Sequence, residues 1–191
     1  MSRSMKLIAQ ITQDIRRRFA LLRDDEHGVS AVEFALLLPL MVTLYLGSVE
    51  ISQAISADRK VTLTSRTVAD LISQVSSINN AGMTDVLNAS SSVMAPFTTT
   101  TLKVTVSCVT VDANGKATVT WSDTLNGTAR SVGSTVTLPT ALNIANSSLI
   151  WSEVSFVYTP AIGYIITGPL TLKDQLYMAP RLSSTVARTA T

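Results

Sequence analysis

Residues 29–49 read VSAVEFALLLPLMVTLYLGSV and carry one charged side chain, Glu33. At about 1.5 Å of rise per residue, a helix over this stretch is about 31 Å long, which matches the hydrocarbon thickness of a bilayer. A helix buried in a soluble core is the alternative, but such a helix need not be apolar on every face. The stretch therefore predicts a transmembrane helix.

The segment before this span, residues 1–28, is polar and basic. Its apolar residues recur at helical spacing, which predicts a short amphipathic helix carrying Arg16–Arg18; they are Ile8, Ile11, Ile15, Phe19 and Leu22. Basic residues mark the cytoplasmic end of a membrane helix. We therefore expect a cytoplasmic leader over residues 1–28 and a large C-terminal part outside the cytoplasm.

Beyond the span, the apolar residues narrow to one stripe with a period near 3.6. They predict that the helix continues to about Ile78 and that residues 50–96 form an amphipathic helical region. The stripe comprises Ile51, Ala54, Ile55, Val61, Val68, Leu71, Ile72, Val75 and Ile78. The sequence Asn79-Asn80-Ala81-Gly82 predicts the end of this helix, and Thr84–Met94 predicts a further short one.

Residues 97–191 are rich in Ser, Thr and Val and predict an antiparallel β domain. Leu102–Cys108 alternates between apolar and polar residues, and the phase shifts at Val109, which predicts a bulge or a doubly buried end. Asp112–Gly115 predicts the turn of a hairpin. Further strands are expected at Val132–Leu138, Ile150–Thr159 and Leu170–Met178. The predicted fold class is α+β: a long N-terminal helix, its first half transmembrane, packed on a small antiparallel sheet.

The composition excludes several kinds of site. The chain has one histidine and one cysteine, so one chain provides neither a two-histidine metal site nor an intramolecular disulfide. A net charge of +2 with scattered basic residues gives no reason to expect a nucleic-acid partner. We find no phosphate-binding loop, nucleophile elbow or paired carboxylates. We expect no catalytic, metal-binding or cofactor-binding residues, and a buried structural thiol at Cys108.

Glu33 needs a partner or a proton, because an ionised carboxylate at the centre of a membrane helix costs about 2.5–3.5 kcal/mol. Cleavage after Gly28 would supply a partner, the new α-amino group of Val29, whose reference pKa is about 7.7–8.0. Residues 29 and 33 lie one helical turn apart. The carboxylate could then meet its own amine or that of a neighbouring subunit. Alternatively, it lies near the lipid headgroups without a special role.

The head of the span resembles the processing site of type IV pilin-like proteins. In those proteins a prepilin peptidase cuts after glycine, and glutamate is the fifth residue of the mature chain. The pattern G-x-x-A-V-E-F-A-L-x-x-P, followed by an apolar run and Glu50, resembles the TadE family in particular. The matching positions are Gly28, Ala31, Val32, Glu33, Phe34, Ala35, Leu36 and Pro39. Tyr177–Arg181 also resembles the closing segment of some TadE-like proteins.

The resemblance implies a minor pseudopilin of the tight-adherence (Tad, Flp-type) pilus with a pilin-like fold, which is not an enzyme. It implies processing between Gly28 and Val29 and a single pass through the bacterial inner membrane, with a periplasmic C-terminal domain. The implied partners are the inner membrane, the prepilin peptidase, other Tad pilins and pseudopilins, and the inner-membrane assembly platform. Pro39 is either a kink that lets helices pack in a filament or a tolerated membrane-helix proline.

Three alternatives stay open at the level of sequence. The first is a membrane-anchored periplasmic binding or adhesion domain with an unprocessed anchor helix. The second is a cleavable secretory signal ending at Ala57, although the apolar run is longer than such signals require. The third is a secreted enzyme with an unrecognised site.

Overall fold

The computed structural model of this chain describes residues 26–190, and the predicted leader helix over residues 8–22 lies outside that range. Within that range, two helices, seven strands and a 3-10 turn follow one another. They are α1 (Glu26–Ser73), β1 (Ser77–Ile78), α2 (Asn80–Val93), β2 (Lys103–Val111), β3 (Ala117–Leu125), β4 (Thr135–Val136), the turn Thr140–Leu142, β5 (Ser148–Tyr158), β6 (Leu170–Met178) and β7 (Ala187–Arg188). The chain divides into two units between Ser48 and Val49.

In the first unit, α1 exposes its apolar side chains. Leu36 is 75% exposed and Leu44 is 64% exposed. An 18-residue window of this helix has a mean hydropathy of 2.0, and none of it is buried within the protein. The helix is therefore long and apolar enough to cross a membrane.

In the second unit, the rest of α1 packs on the sheet through a narrow face that includes Ala57, Val61, Val68 and Ile72, all fully buried. The predicted stripe is wrong at three members, since Ile51 and Ile55 are about half exposed and Leu71 is 37% exposed. Small and hydroxyl side chains instead complete the buried face. They are Ala54, Thr64, Ser65 and Ala69.

α1 ends at Ser73, earlier than the predicted end at Ile78. The residues that follow leave the helix because Ser77 and Ile78 pair in parallel with Ala187 and Arg188. Ile78 is buried in this two-stranded arrangement. The predicted stop signal is in fact a start signal: Asn79 is the N-cap of α2, and its side chain accepts a hydrogen bond from the Gly82 N–H at 2.9 Å.

The five-stranded sheet has the order β4-β3-β2-β5-β6, and all its pairings are antiparallel. The predicted bulge is present: Cys108 faces Trp121 while Val109 faces Val119, so Thr120 is the extra residue. The predicted hairpin is also present, with Gly115 at a φ of 79° in its turn. The strand predicted at Val132–Leu138 is reduced to the two residues of β4.

The main core lies between the sheet and the helices. Ile150, Val154, Phe156 and Tyr158 of β5 face it, as their alternation predicted. Cys108 also lies in this core, where burial raises the pKa of its thiol. A smaller cluster includes Val109, Leu138 and Trp151. The α+β class and the packing of the long N-terminal helix on an antiparallel sheet are thus confirmed.

Candidate functional site

Gly28 lies in the first turn of α1, which begins at Glu26. Both Gly28 and Val29 are exposed, and a β-carbon added at Gly28 would meet no atom within 4 Å. The glycine therefore has no packing role within the described residues.

Glu33 lies four residues after Val29 on the same helix, and its side chain is exposed. Within residues 26–190, the ion pairs join Arg130 to Glu153, Arg181 to Asp70 and Arg188 to Asp123, and none of them includes Glu33. Glu33 is thus the one charged side chain among residues 29–49, whose exposed surface is largely apolar.

Pro39 lies inside α1, which continues as an α-helix on both sides of it. The hydroxyl of Thr43 donates to the carbonyl oxygen of Pro39 at 2.8 Å. Proline removes one backbone N–H from the helix, so the carbonyl of Ala35 loses its usual donor. The Thr43 bond is made to a different carbonyl and does not replace it.

Glu50 follows the apolar span directly and differs from Glu33 in its burial and its hydrogen bonds. It is 2% exposed, although it is a carboxylate. Its oxygens accept three backbone hydrogen bonds, from the N–H groups of Tyr164 at 2.6 Å, Ile165 at 2.8 Å and Ile166 at 3.1 Å. Hydrogen bonding to the charged form, led by the N–H of Tyr164, lowers the pKa of Glu50 below its usual value.

The loop between β5 and β6 forms this carboxylate-binding site. Gly163 adopts a φ of 68°, a left-handed conformation that glycine enters without strain. The three consecutive N–H groups that follow it converge on the two carboxylate oxygens of one side chain. Glu50 therefore fastens α1 to a loop that lies more than a hundred residues later in the chain.

Arg181, the last residue of the segment Tyr177–Arg181, lies at the other end of this half of α1. Its backbone N–H donates to the carbonyl oxygen of Ser73 at 2.8 Å, and its guanidinium pairs with Asp70. Carbonyls at the end of a helix lack partners within the helix, so Arg181 caps the C-terminus of α1. The sequence pattern of this segment shows its resemblance to TadE-like proteins but gives no sign of this contact.

A polar groove of about 870 Å³ lies on the sheet, lined mainly by β2, β5 and β6 and by the connection after β3. Arg130 bonds to Glu153 at 2.7 Å and lies 3.8 Å from the centre of the Trp151 ring, which stacks on Tyr177. Two of the five charged side chains that line the groove therefore pair with each other. Within the described residues, no group of three or more metal-ligating side chains occurs.

Residues 26–190 thus contain one helix long enough to cross a membrane, and this helix continues into an α+β unit. The family model of TadE-like proteins matches residues 28–70, so the resemblance is confirmed over most of α1. The match begins at Gly28 and includes Glu33, Pro39 and Glu50. TadE-like proteins are structural components of a pilus rather than enzymes, and the match indicates a Tad pilus-associated protein. Comparisons with curated proteins and with solved structures give no match.

Proposed function

We propose that this chain is a minor pseudopilin that supports assembly of the tight-adherence pilus after a prepilin peptidase removes residues 1–28. The observation that carries the proposal is the coincidence at Gly28. The TadE-like match starts there, the apolar span follows, and no atom among the described residues lies within 4 Å of a β-carbon added to the glycine.

The balance of free energies supports an anchoring role for residues 29–49. The six leucines of the span contribute about 2–4 kcal/mol to insertion, and its other apolar residues add to this. An ionised carboxylate at the centre of the span costs about 2.5–3.5 kcal/mol, and Glu33 is nearer one end. The span therefore tolerates Glu33, but the charge is a cost that pure anchoring does not require.

Pairing with the Val29 amine gives Glu33 its role in this proposal. Cleavage after Gly28 creates the cation one helical turn away, on the helix itself or on an adjacent subunit. The ion pair then reports that the leader has been removed. The expected partners are other Tad pilins and pseudopilins and the assembly platform of the inner membrane, with the C-terminal unit in the periplasm.

The structure gives an argument against a secretory signal that ends at Ala57. Ala57 is fully buried in the middle of α1. Cleavage after it would remove Glu50, which binds three amides of the β5–β6 loop, and Ala54, which contributes to the main core. Such a cut would destabilise the unit that it releases.

Replacement of Gly28 by valine tests the processing step. The valine has free space around it, so the fold should be unchanged, while the peptidase should fail to cut. We expect the Gly28→Val protein to keep its 28-residue leader in a host with the peptidase, as measured by intact mass. Gly168→Val is the matched control, because Gly168 also has no atom within 4 Å of an added β-carbon. Normal trimming of Gly28→Val would refute the proposal.

Replacement of Glu33 by glutamine tests the assembly step separately. Glu33 lies beyond the cut, so Glu33→Gln should be processed normally. Glutamine cannot hold a negative charge against the Val29 amine, so we expect a processed, membrane-bound protein that fails to support piliation. Normal pili on Glu33→Gln cells would remove the ion pair from the mechanism.

A membrane-anchored binding or adhesion domain is the second candidate, and the polar groove on the sheet favours it. The two functions differ in their dependence on Gly28. A plain anchor works with its leader attached, so full piliation or adhesion by an unprocessed Gly28→Val protein would favour this second function.

A further inference from the structure

The loop between β5 and β6, residues 159–169, reads TPAIGYIITGP and contains no charged residue. Antiparallel strands are commonly joined by about two to five residues, so this connection is unusually long. Three of its apolar side chains point away from the core: Ile162 is 49% exposed, Tyr164 is 54% exposed and Ile165 is 49% exposed. Ile166 instead packs against the main core.

Glu50 holds this loop close to the end of the apolar span. The carboxylate of Glu50 holds the N–H groups of residues 164–166 at 2.6–3.1 Å. Glu50 is the first residue after the apolar span of residues 29–49, only about 1.5 Å of helix rise beyond Val49. The backbone of the loop therefore lies within one side-chain length of the point where the span ends.

We propose that residues 162–165 form a membrane-contact loop that inserts its apolar side chains into the headgroup region of the bilayer. Ile162 and Ile165 would enter the boundary with the acyl chains. Tyr164 would lie at the level of the headgroups, where tyrosine is enriched in membrane proteins. The inference rests on α1 lying in a membrane, as proposed above, and it adds a second point of attachment.

The lack of charge in the loop and the exposed apolar side chains near it favour a lipid surface as its partner. The loop brings no charge of its own to the boundary, and three hydrogen bonds already satisfy the charge on Glu50. Ile51 and Ile55, which follow the span on α1, are also about half exposed. Exposed apolar side chains thus occur on both the helix and the loop that Glu50 joins, at the end of the apolar span.

Nitroxide accessibility in the full-length protein tests the loop. A Cys108→Ala background removes the one native thiol, and Ile165→Cys carries the label in vesicles of phosphatidylethanolamine and phosphatidylglycerol. Ile162→Cys is a second labelling site in case the first variant folds poorly. Leu44→Cys, in the span, and Val132→Cys, which is 70% exposed between β3 and β4, are the references for lipid and water. Oxygen and a water-soluble nickel chelate are the two relaxing agents.

We expect the label on the loop to be relaxed more strongly by oxygen than by the chelate, with a depth between those of the two references. A loop label that matches Val132→Cys, while Leu44→Cys is in lipid, would overturn the inference and leave the anchor intact. Protection from both agents would also overturn it, because it would mean that a protein subunit covers the loop. A water-exposed Leu44→Cys would overturn the membrane placement of α1 itself.

Discussion

The two halves of α1 belong to one continuous helix, yet their apolar side chains have opposite surroundings. In the first unit, Leu36 and Leu40 are 75% and 57% exposed, whereas Val61 and Ile72 in the second unit are fully buried. Within residues 26–190, nothing covers the 18-residue apolar window of the first half, which is apolar enough to cross a membrane. The second half depends on the chain's own sheet. The apolar residues of the first half are therefore exposed, whereas those of the second half help to form the core.

The glutamates of the two halves repeat this contrast. Glu33 is exposed and has no ion-pair partner among residues 26–190, whereas Glu50 is buried and accepts three backbone hydrogen bonds. The loop amides satisfy Glu50 within one chain. In the proposed mechanism, the partner of Glu33 is the Val29 amine of a processed chain.

The largest expected effect is on packing in the second half of α1. Ile72→Ala should lower the free energy of unfolding of the second unit by about 2–5 kcal/mol, because it leaves a cavity in the main core. Both tryptophans, Trp121 and Trp151, lie in this unit. Denaturant unfolding of the full-length protein in detergent, followed by tryptophan fluorescence, therefore reports on this unit alone.

Leu40→Ala is the matched control from the exposed half. It should leave the same unfolding transition unchanged, because Leu40 contacts none of the core. Equal losses for Ile72→Ala and Leu40→Ala would mean that the two halves of the helix do not differ as described.

Glu50 and Glu33 should also differ in their contributions to the stability of the second unit. Glu50→Gln should lower the melting temperature of the second unit by several degrees, because an amide NH2 would face N–H donors and fewer hydrogen bonds would form. Glu33→Gln should leave the melting temperature unchanged. A circular dichroism melt in detergent makes the comparison, and equal melting temperatures for wild type and Glu50→Gln would show that the loop contact adds no stability.

The pH dependence of stability tests whether the charge of Glu50 stabilises the second unit. The pKa of this carboxyl is lowered in the folded protein, first by the N–H of Tyr164. The resulting stability is present above the unfolded-state pKa of about 4.3 and is lost as the pH falls through the folded-state pKa. Acid titrations of the unfolding free energy should therefore decline more steeply for wild type than for Glu50→Gln. Parallel curves would assign the acid sensitivity to other carboxyls.

The smallest expected effect lies in the groove on the sheet. Arg130→Ala should cost about 1 kcal/mol, because the pair with Glu153 is partly solvated and the cation–π contact with Trp151 is modest. Arg130→Lys keeps the charge but loses the planar group, so an intermediate loss is expected. Chemical denaturation of both variants makes the measurement, and a loss above about 3 kcal/mol for Arg130→Ala would contradict this view of the groove.

Local patterns predicted the elements better than their ends or their distant contacts. Alternation in β5 identified its buried face because side chains of a strand alternate between faces. The end of α1 was misjudged because Val75 and Ile78 continue its apolar pattern, although Ile78 pairs with β7 more than a hundred residues away. Asn79 belongs to a predicted stop signal but caps α2, because the residue types that end one helix also cap the next.

The residues of the candidate site also differ in whether local sequence patterns predict them. Gly28, Glu33 and Pro39 are neighbours in the sequence, so the pattern at the head of the span was enough to select them. The role of Glu50 was missed because its three partners lie in an uncharged loop after β5, and backbone N–H groups leave no mark in a sequence. Val186 was missed for a similar reason: it is fully buried, and its carbonyl accepts a hydrogen bond from Trp121, but the residues around it have no strand pattern.

The N-terminus of the protein purified from its native membrane tests the central claim most directly. N-terminal sequencing together with intact mass should give a chain that begins at Val29, with Glu33 as its fifth residue. A chain that begins at Met1 would contradict the claim and favour an unprocessed anchor, and one that begins at Asp58 would mean that a secretory signal is removed after Ala57.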